Sequence, residues 1–293
     1  MTQVVSVIIP TTAEPSRRDL LRRAIDSARA QRDIGTTLIV VVNGSRWDPS
    51  LLGELQGLPL QLIRLREANL PAAIHAGRLA VAGGYFSFLD DDDVYLPDAL
   101  ASRLAGLESA HADFAVGNGI NASGDVLIPD VRAVERDPLR ALLARNWLAS
   151  CGGLYRSATI SGEFFEDLTK YFEWTVLAFR LLMAGKKVCF VDQVTFRISD
   201  TESSTSKQRS MESVLNGAAV FEHMFARVPE QIRAGLSLKG ASTYHDISSY
   251  CLLSGHLADA WRMHVSSLRM GGWRYLSYTR HLVRQTCRAW FGG

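Results

Sequence analysis

Four consecutive carboxylates, Asp90, Asp91, Asp92 and Asp93, follow a short apolar run at residues 85–89. On extended backbone successive side chains alternate between faces, so Asp90 and Asp92 are predicted to project together while Asp91 and Asp93 point away. Carboxylates this close repel one another and must take up protons or gain a counter-ion. A hydrated magnesium or manganese ion shared with a substrate's phosphates meets that need. The same residues could instead form a solvated acidic loop, with Asp93 or Asp98 at the start of the following helix. Thiol or imidazole metal chemistry is not indicated. Cys151, Cys189, Cys251 and Cys287 form no C-x-x-C pair and are expected as free thiols, and His256, His264 and His281 lack ligand spacing.

The place of the acidic run gives it weight, because open α/β sheets bind ligands beyond the carboxyl ends of their strands. Apolar, β-branched runs predict strands at residues 4–9, 37–42, 60–65 and 85–89. Helical spacing fills the gaps: Ser16 and Asp19 resemble a capping box ahead of Leu20, Leu21, Ala24, Ile25 and Ala28, and further helices are predicted over 71–82 and about 98–109. Gly, Asn and Pro mark loops through 113–154, with one short helix at 138–147. A helix at 171–184 stops at Gly185, strands follow at 187–191 and 193–196, a Ser-rich loop occupies 199–208, and residues from 211 onward are helical.

The 293 residues are 47% hydrophobic and 21% charged, which suits one or two packed cores and excludes a disordered or collagen-like chain. A net charge of +2 argues against a nucleic-acid partner. Neither a secretory leader nor an apolar run of ~20 residues is predicted, so a cytoplasmic chain is expected.

Three blocks occur in order: Val5-Ser6-Val7-Ile8-Ile9-Pro10-Thr11, then Ile39-Val40-Val41-Val42-Asn43-Gly44-Ser45, then Ala82-Gly83-Gly84-Tyr85-Phe86-Ser87-Phe88-Leu89 running into the four aspartates, with Pro97 beyond. This succession resembles the family 2 glycosyltransferases of GT-A fold over about the first two hundred residues. The resemblance implies an α/β, Rossmann-like, mainly parallel sheet between helices over 1–205, followed by a helical C-terminal region over 206–293. It implies transfer of a sugar, with inversion, from a nucleotide-sugar, a UDP-sugar first, to a hydroxyl of a glycan or lipid-linked acceptor in surface polysaccharide assembly. Residues 113–154 would lie on the acceptor side. By position, Pro10, Thr11 and Glu14 would lie near the nucleoside, Asn43 would face the base, Asp90 and Asp91 would approach the ribose and diphosphate, and Asp90 and Asp92 would hold Mn2+ or Mg2+. Two departures alter the nucleotide contacts. Val42-Asn43 stands where relatives carry paired aspartates, and Ala73-Ile74-His75-Ala76-Gly77 lacks the arginine of the family's Ala-Arg-Asn-x-Gly.

A base must take the acceptor's proton. The resemblance assigns it to Glu173 in Phe172-Glu173-Trp174, with Glu166 and Asp167 in reserve, and implies that Arg197 contacts the diphosphate at the base of a Ser-rich lid. Beyond Asp259 the chain has six arginines and no Asp or Glu. If residues 275–291 form one helix, Leu276, Val283, Cys287 and Trp290 share a face bordered by Arg280, Arg284 and Arg288, which suits the inner leaflet of an anionic membrane, packing on its own domain, or a homodimer. Two rivals share the fold: a sugar-phosphate nucleotidyltransferase, whose Gly-rich basic loop is missing after residues 4–9, and a non-catalytic nucleotide-sugar or glycan-binding module, which would not need Asp92 together with Glu173.

Overall fold

A computed structural model describes residues 3–199 and 210–291, apart from the side chains of residues 290 and 291. The chain divides into two compact units, residues 1–204 and 205–293. In the first unit the β-branched runs form β1 (Val4–Thr11), β2 (Gly35–Asn43), β3 (Gln61–Leu65) and β4 (Tyr85–Phe88). All four are parallel, in the order β3-β2-β1-β4, with Thr11 level with Val42 and Ile8 level with Phe88. The chain adds β2 and β3 on one side of β1 and then crosses to place β4 on the other. In open α/β sheets such a reversal is where ligands bind, beyond the carboxyl ends of the strands, here β1 and β4.

The second half of the sheet is mixed. Beside β4 lie β7 (Gly153–Arg156), β6 (Phe114–Ile120), β8 (Val188–Arg197) and β5 (Val94–Tyr95). Only β7 and β5 run against the common direction. The strands β6 and β7 fall in the stretch expected as mostly loop, where Gly117, Gly119, Gly152 and Gly153 mask the strand pattern. Those glycines serve packing: a Cβ on Gly119 would overlap the Phe196 ring, and one on Gly153 the Tyr155 ring. The two short strands predicted at 187–196 are one strand, with a shifted register opposite Gly117, Asn118 and Gly119.

Helices α1 (Arg18–Arg29), α2 (Pro49–Gln56), α3 (Leu70–Leu79) and α4 (Ala99–Ser109) join and cover these strands. Ser16 does not cap α1. A 3-10 turn at Pro15–Arg17 precedes the helix, and Arg17 occupies the cap position without a side-chain capping bond. Asp98 likewise stands at the start of α4 without a capping bond. Helix α5 (Val131–Arg136) was not predicted, and α6 (Pro138–Ala144) ends before residue 147 because Arg145 is extended. Asp130 and Asp137 cap the two helices, accepting from Ala133 N at 2.9 Å and Arg140 N at 3.0 Å. Helix α7 spans Glu173–Met183.

Gly77 explains how closely α3 approaches the sheet, since a Cβ there would overlap Ile8 Cγ2. On the same face Phe86, Phe88, Phe114, Tyr155 and Phe165 form a buried aromatic cluster, with Phe86 and Tyr155 stacked at 5.0 Å. Burying each such ring contributes about 1.5–3 kcal/mol. The cluster lies directly before the acidic run and fixes the strand from which it departs.

The second unit contains α8 (Met211–Arg227), α9 (Glu230–Leu253), α10 (Leu257–Arg269) and α11 (Leu276–Phe291). Its core gathers Val214, Ala218, Tyr244, Ile247, Cys251, Met263 and Leu282. Among the described residues no helix is long and apolar enough to cross a membrane.

Candidate active site

The four aspartates do not continue the strand. They form a turn, closed by Asp93 N donating to Asp90 O at 3.2 Å, so strand alternation does not set their directions. Exposure nevertheless alternates: Asp91 and Asp93 are buried, while Asp90 and Asp92 are partly open. Each carboxylate is held by a different part of the chain. Asp90 accepts from Ser150 Oγ at 2.6 Å. Asp91 accepts from Thr11 Oγ1 at 2.6 Å and pairs with Arg17 at 3.2 Å. Asp92 pairs with the same Nη1 of Arg17 at 2.8 Å. Asp93 accepts from Ser199 N at 2.9 Å and from Cys151 Sγ at 3.4 Å.

Burial and mutual repulsion act on these groups together. Burial lifts Asp90 well above the usual carboxylate range, with Asp93 adding repulsion and Ser150 opposing it. Burial also raises Asp91 to about 6, against the pull of Arg17 and Thr11, and Asp93 to about 7, against the Ser199 bond. The four carboxylates, two of them paired with Arg17, form a dense oxygen donor set. No three His, Cys, Asp or Glu side chains converge as a ready-made metal cage among the described residues. The donor set instead fits a hard divalent ion that takes one or two carboxylates and completes its shell with phosphates and water.

Around the turn, Thr11 ends β1 and accepts from Ala13 N at 2.9 Å, while Pro10 is buried in the strand before it. Asn43 ends β2 and donates from its side-chain amide to Thr11 O at 3.0 Å, which ties the two strand ends together. Glu14 is half-buried and pairs with Arg46 at 2.9 Å. Arg197 ends β8 at the same edge of the sheet, level with Val94, and is exposed. Apart from Ser199, the Ser-rich lid expected over 199–208 lies outside the described residues.

Glu173 is the first residue of α7 and is 5% exposed. Its Oε1 accepts from Tyr171 N at 3.1 Å. Burial raises its carboxyl above the usual range even with hydrogen bonds opposing the shift. The next residue, Trp174, packs edge-on against Phe88 at 5.1 Å, which brings the start of α7 to the end of the strand that carries the acidic turn. Arg180 donates to the backbone carbonyls of Phe164, Glu166 and Asp167, so it holds the segment containing the two reserve carboxylates. His75 faces Glu166 at 3.9 Å.

Sequence reasoning missed Arg17, Ser150 and Cys151. Arg17 sits in a turn with no periodic signal. The other two lie in a charge-free run of small residues, whose only cue is that such a run can pass close to another backbone.

Residues 6–145 match the family model described as glycosyl transferase family 2. An uncharacterized glycosyltransferase of Rickettsia prowazekii is 31% identical over 101 residues, 34% of this chain and 31% of that protein. The succinoglycan biosynthesis protein ExoO of Rhizobium meliloti is 35% identical over 103 residues, 34% of this chain and 29% of that protein. The aligned part thus spans about a third of these curated relatives. S. aureus TarS, solved in complex with UDP-GlcNAc, superposes with a TM-score of 0.60 over 92% of each chain at 13% identity. The mannosyltransferase of Pyrobaculum calidifontis, solved with GDP-Man and Mn2+, superposes with a TM-score of 0.55 over 100% of this chain and 88% of its own, at 16% identity. Fold and strand order agree with these superpositions: the chain has a GT-A fold, and residues 6–145 within it match glycosyl transferase family 2.

Proposed function

We propose that the protein is an inverting, metal-dependent glycosyltransferase that moves a sugar from a nucleoside-diphosphate donor to a hydroxyl of a glycan or lipid-linked acceptor. The observation that carries this reading is the acidic turn beyond the carboxyl ends of β1 and β4, with buried Glu173 brought to the end of β4 by Trp174. Thr11 and Asn43 shape the nucleoside side of the site, with Pro10 and Glu14 beside them. Asp90 and Asp92, the two partly open carboxylates, would hold Mn2+ or Mg2+, and Asp91 would support the nucleotide end. When bound, the ion supplies positive charge for the departing diphosphate. Glu173 takes the acceptor's proton as the oxygen attacks, and its raised carboxyl suits a base that must later release that proton. Arg197, which ends β8, would meet diphosphate charge.

A UDP-sugar is the first donor to test and a GDP-sugar the second, since the two superposed enzymes were solved with these nucleotides. The likeness to ExoO supports a role in polysaccharide assembly. A panel of nucleotide-sugars, screened by thermal shift with and without Mn2+, tests the reading. One donor should stabilise the protein only with Mn2+, and Asp92→Asn should abolish the effect. Stabilisation that ignores both Mn2+ and Asp92 would overturn the metal assignment.

In the C-terminal unit α11 buries Leu282 and exposes Leu276, Val283 and Cys287, with Arg280, Arg284 and Arg288 also exposed. Exposed Trp273 precedes it. This apolar strip bordered by arginines supports peripheral contact with an anionic inner leaflet, where a lipid-linked acceptor would be presented. A homodimer contact through the same helix is the alternative use of that face.

A further inference from the structure

We infer that Arg17 is a displaceable counter-ion of the acidic turn, and that a divalent cation entering at Asp92 takes the place of its guanidinium. The inference rests on the metal reading proposed above and adds a residue to it. One nitrogen, Nη1 of Arg17, serves two carboxylates at once, lying 3.2 Å from Asp91 Oδ1 and 2.8 Å from Asp92 Oδ2. A hard cation bound to Asp92 would come within a few ångströms of that nitrogen, and two cations so close repel strongly in a site partly shielded from water. Both cannot keep the same carboxylate oxygen.

The chain lets Arg17, rather than the carboxylates, give way. Its backbone belongs to the 3-10 turn Pro15–Arg17, which has no buried residue, and its side chain is 19% exposed. Asp91 and Asp93 are anchored by Thr11 and Ser199, so the turn itself has little freedom. Neighbouring Arg18 faces elsewhere, pairing with Asp48 at 2.8 Å and with Glu54, and cannot replace Arg17 without breaking those pairs. Arg17 would therefore hold the metal-free turn together and weaken the binding of metal alone, an effect the donor's diphosphate must overcome.

Mn2+ alone, titrated into the full chain and followed by the electron paramagnetic resonance signal of the free ion, tests this. Losing a charge-assisted competitor should make Arg17→Ala bind Mn2+ about tenfold tighter or more, with Arg17→Lys between it and the wild type. Metal-free Arg17→Ala should unfold at a lower temperature and gain more from saturating Mn2+ than the wild type does. Should Arg17→Ala fail to fold, Arg17→Gln, which keeps a donor without the charge, carries the same expectation. Equal or weaker Mn2+ binding by a folded variant would overturn the inference, weaker binding showing that Arg17 builds the site. If neither protein binds Mn2+ even with UDP or GDP present, the metal reading itself fails and Arg17 has nothing to gate.

Discussion

Glu173→Gln separates the proposed chemistry from the fold. Oε1 of Glu173 accepts from Tyr171 N at 3.1 Å, and an amide oxygen of the same size can accept in its place. What disappears is the capacity to take a proton. A positioned base contributes ~10²–10⁴ in rate, so kcat should fall by that factor, about 2.7–5.5 kcal/mol at about 1.36 kcal/mol per tenfold. Stability should not follow. Burial raises this carboxyl, so the native state disfavours the ionised form, and the stability Glu173 contributes below the unfolded carboxylate range is lost as pH rises through its folded value. The amide carries no such penalty, so Glu173→Gln should melt at the same temperature as the wild type or higher at pH 8, with the gain shrinking at pH 5. Nucleoside diphosphate release from the donor found by thermal shift reports kcat, and circular dichroism reports melting. A kcat within threefold of the wild type would refute the base assignment. Loss of rate with a clearly lower melting temperature would show Glu173 to be a helix-start carboxylate that the fold needs.

Three further outcomes are expected. The metal-free protein should lose stability as pH rises from about 4 through 7, because Asp91 at about 6 and Asp93 at about 7 keep protons in the folded state that the unfolded chain releases near pH 4; melts in EDTA at pH 5 and 8 check this, and saturating Mn2+ should flatten the trend. Gly77→Ala should cost about 1–3 kcal/mol in urea unfolding, since the new methyl overlaps Ile8 Cγ2 and meets Val41 Cγ2 at 3.3 Å; an unchanged midpoint would mean that α3 shifts freely. Full-length protein should co-sediment with anionic but not neutral liposomes, and Arg280, Arg284 and Arg288 changed together to Gln should abolish this; equal, negligible binding by both would leave α11 as a packing or dimer face.

The parallel half of the sheet was legible because its strands announce themselves: the runs containing Val7, Ile8 and Ile9, and Val40, Val41 and Val42, are apolar, β-branched and closed by turn residues. The antiparallel return was not legible. β6 reads Phe-Ala-Val-Gly-Asn-Gly-Ile and β7 Gly-Leu-Tyr-Arg, and their glycines serve close approach to side chains (Thr195 and Arg103 at Gly117, Phe196 at Gly119, Tyr155 at Gly153) rather than turns. A similar limit applies at the site. The four aspartates and Glu173 could be singled out by type and context, whereas Arg17 and Ser150 reach the turn through contacts 75 and 60 residues distant in sequence. Their roles depend on chain crossings that no local pattern encodes.

The division of labour within the acidic turn follows from those crossings. Asp91 and Asp93 are buried and bonded to Thr11 and Ser199, so one fastens the turn to the end of β1 and the other to the segment leaving β8. Had strand geometry governed, Asp90 and Asp92 would share a face through alternation. In the turn they are instead the two left partly open after the other pair is fastened. Ser150 then restrains Asp90 from the β7 side, and Arg17 restrains Asp92 from the α1 side. Substituting a buried member should therefore disturb both the fold and the ligand, as loss of a satisfied buried partner does. Substituting Asp92 should remove metal binding while the two fastenings hold, which makes it the clean probe of the proposed chemistry.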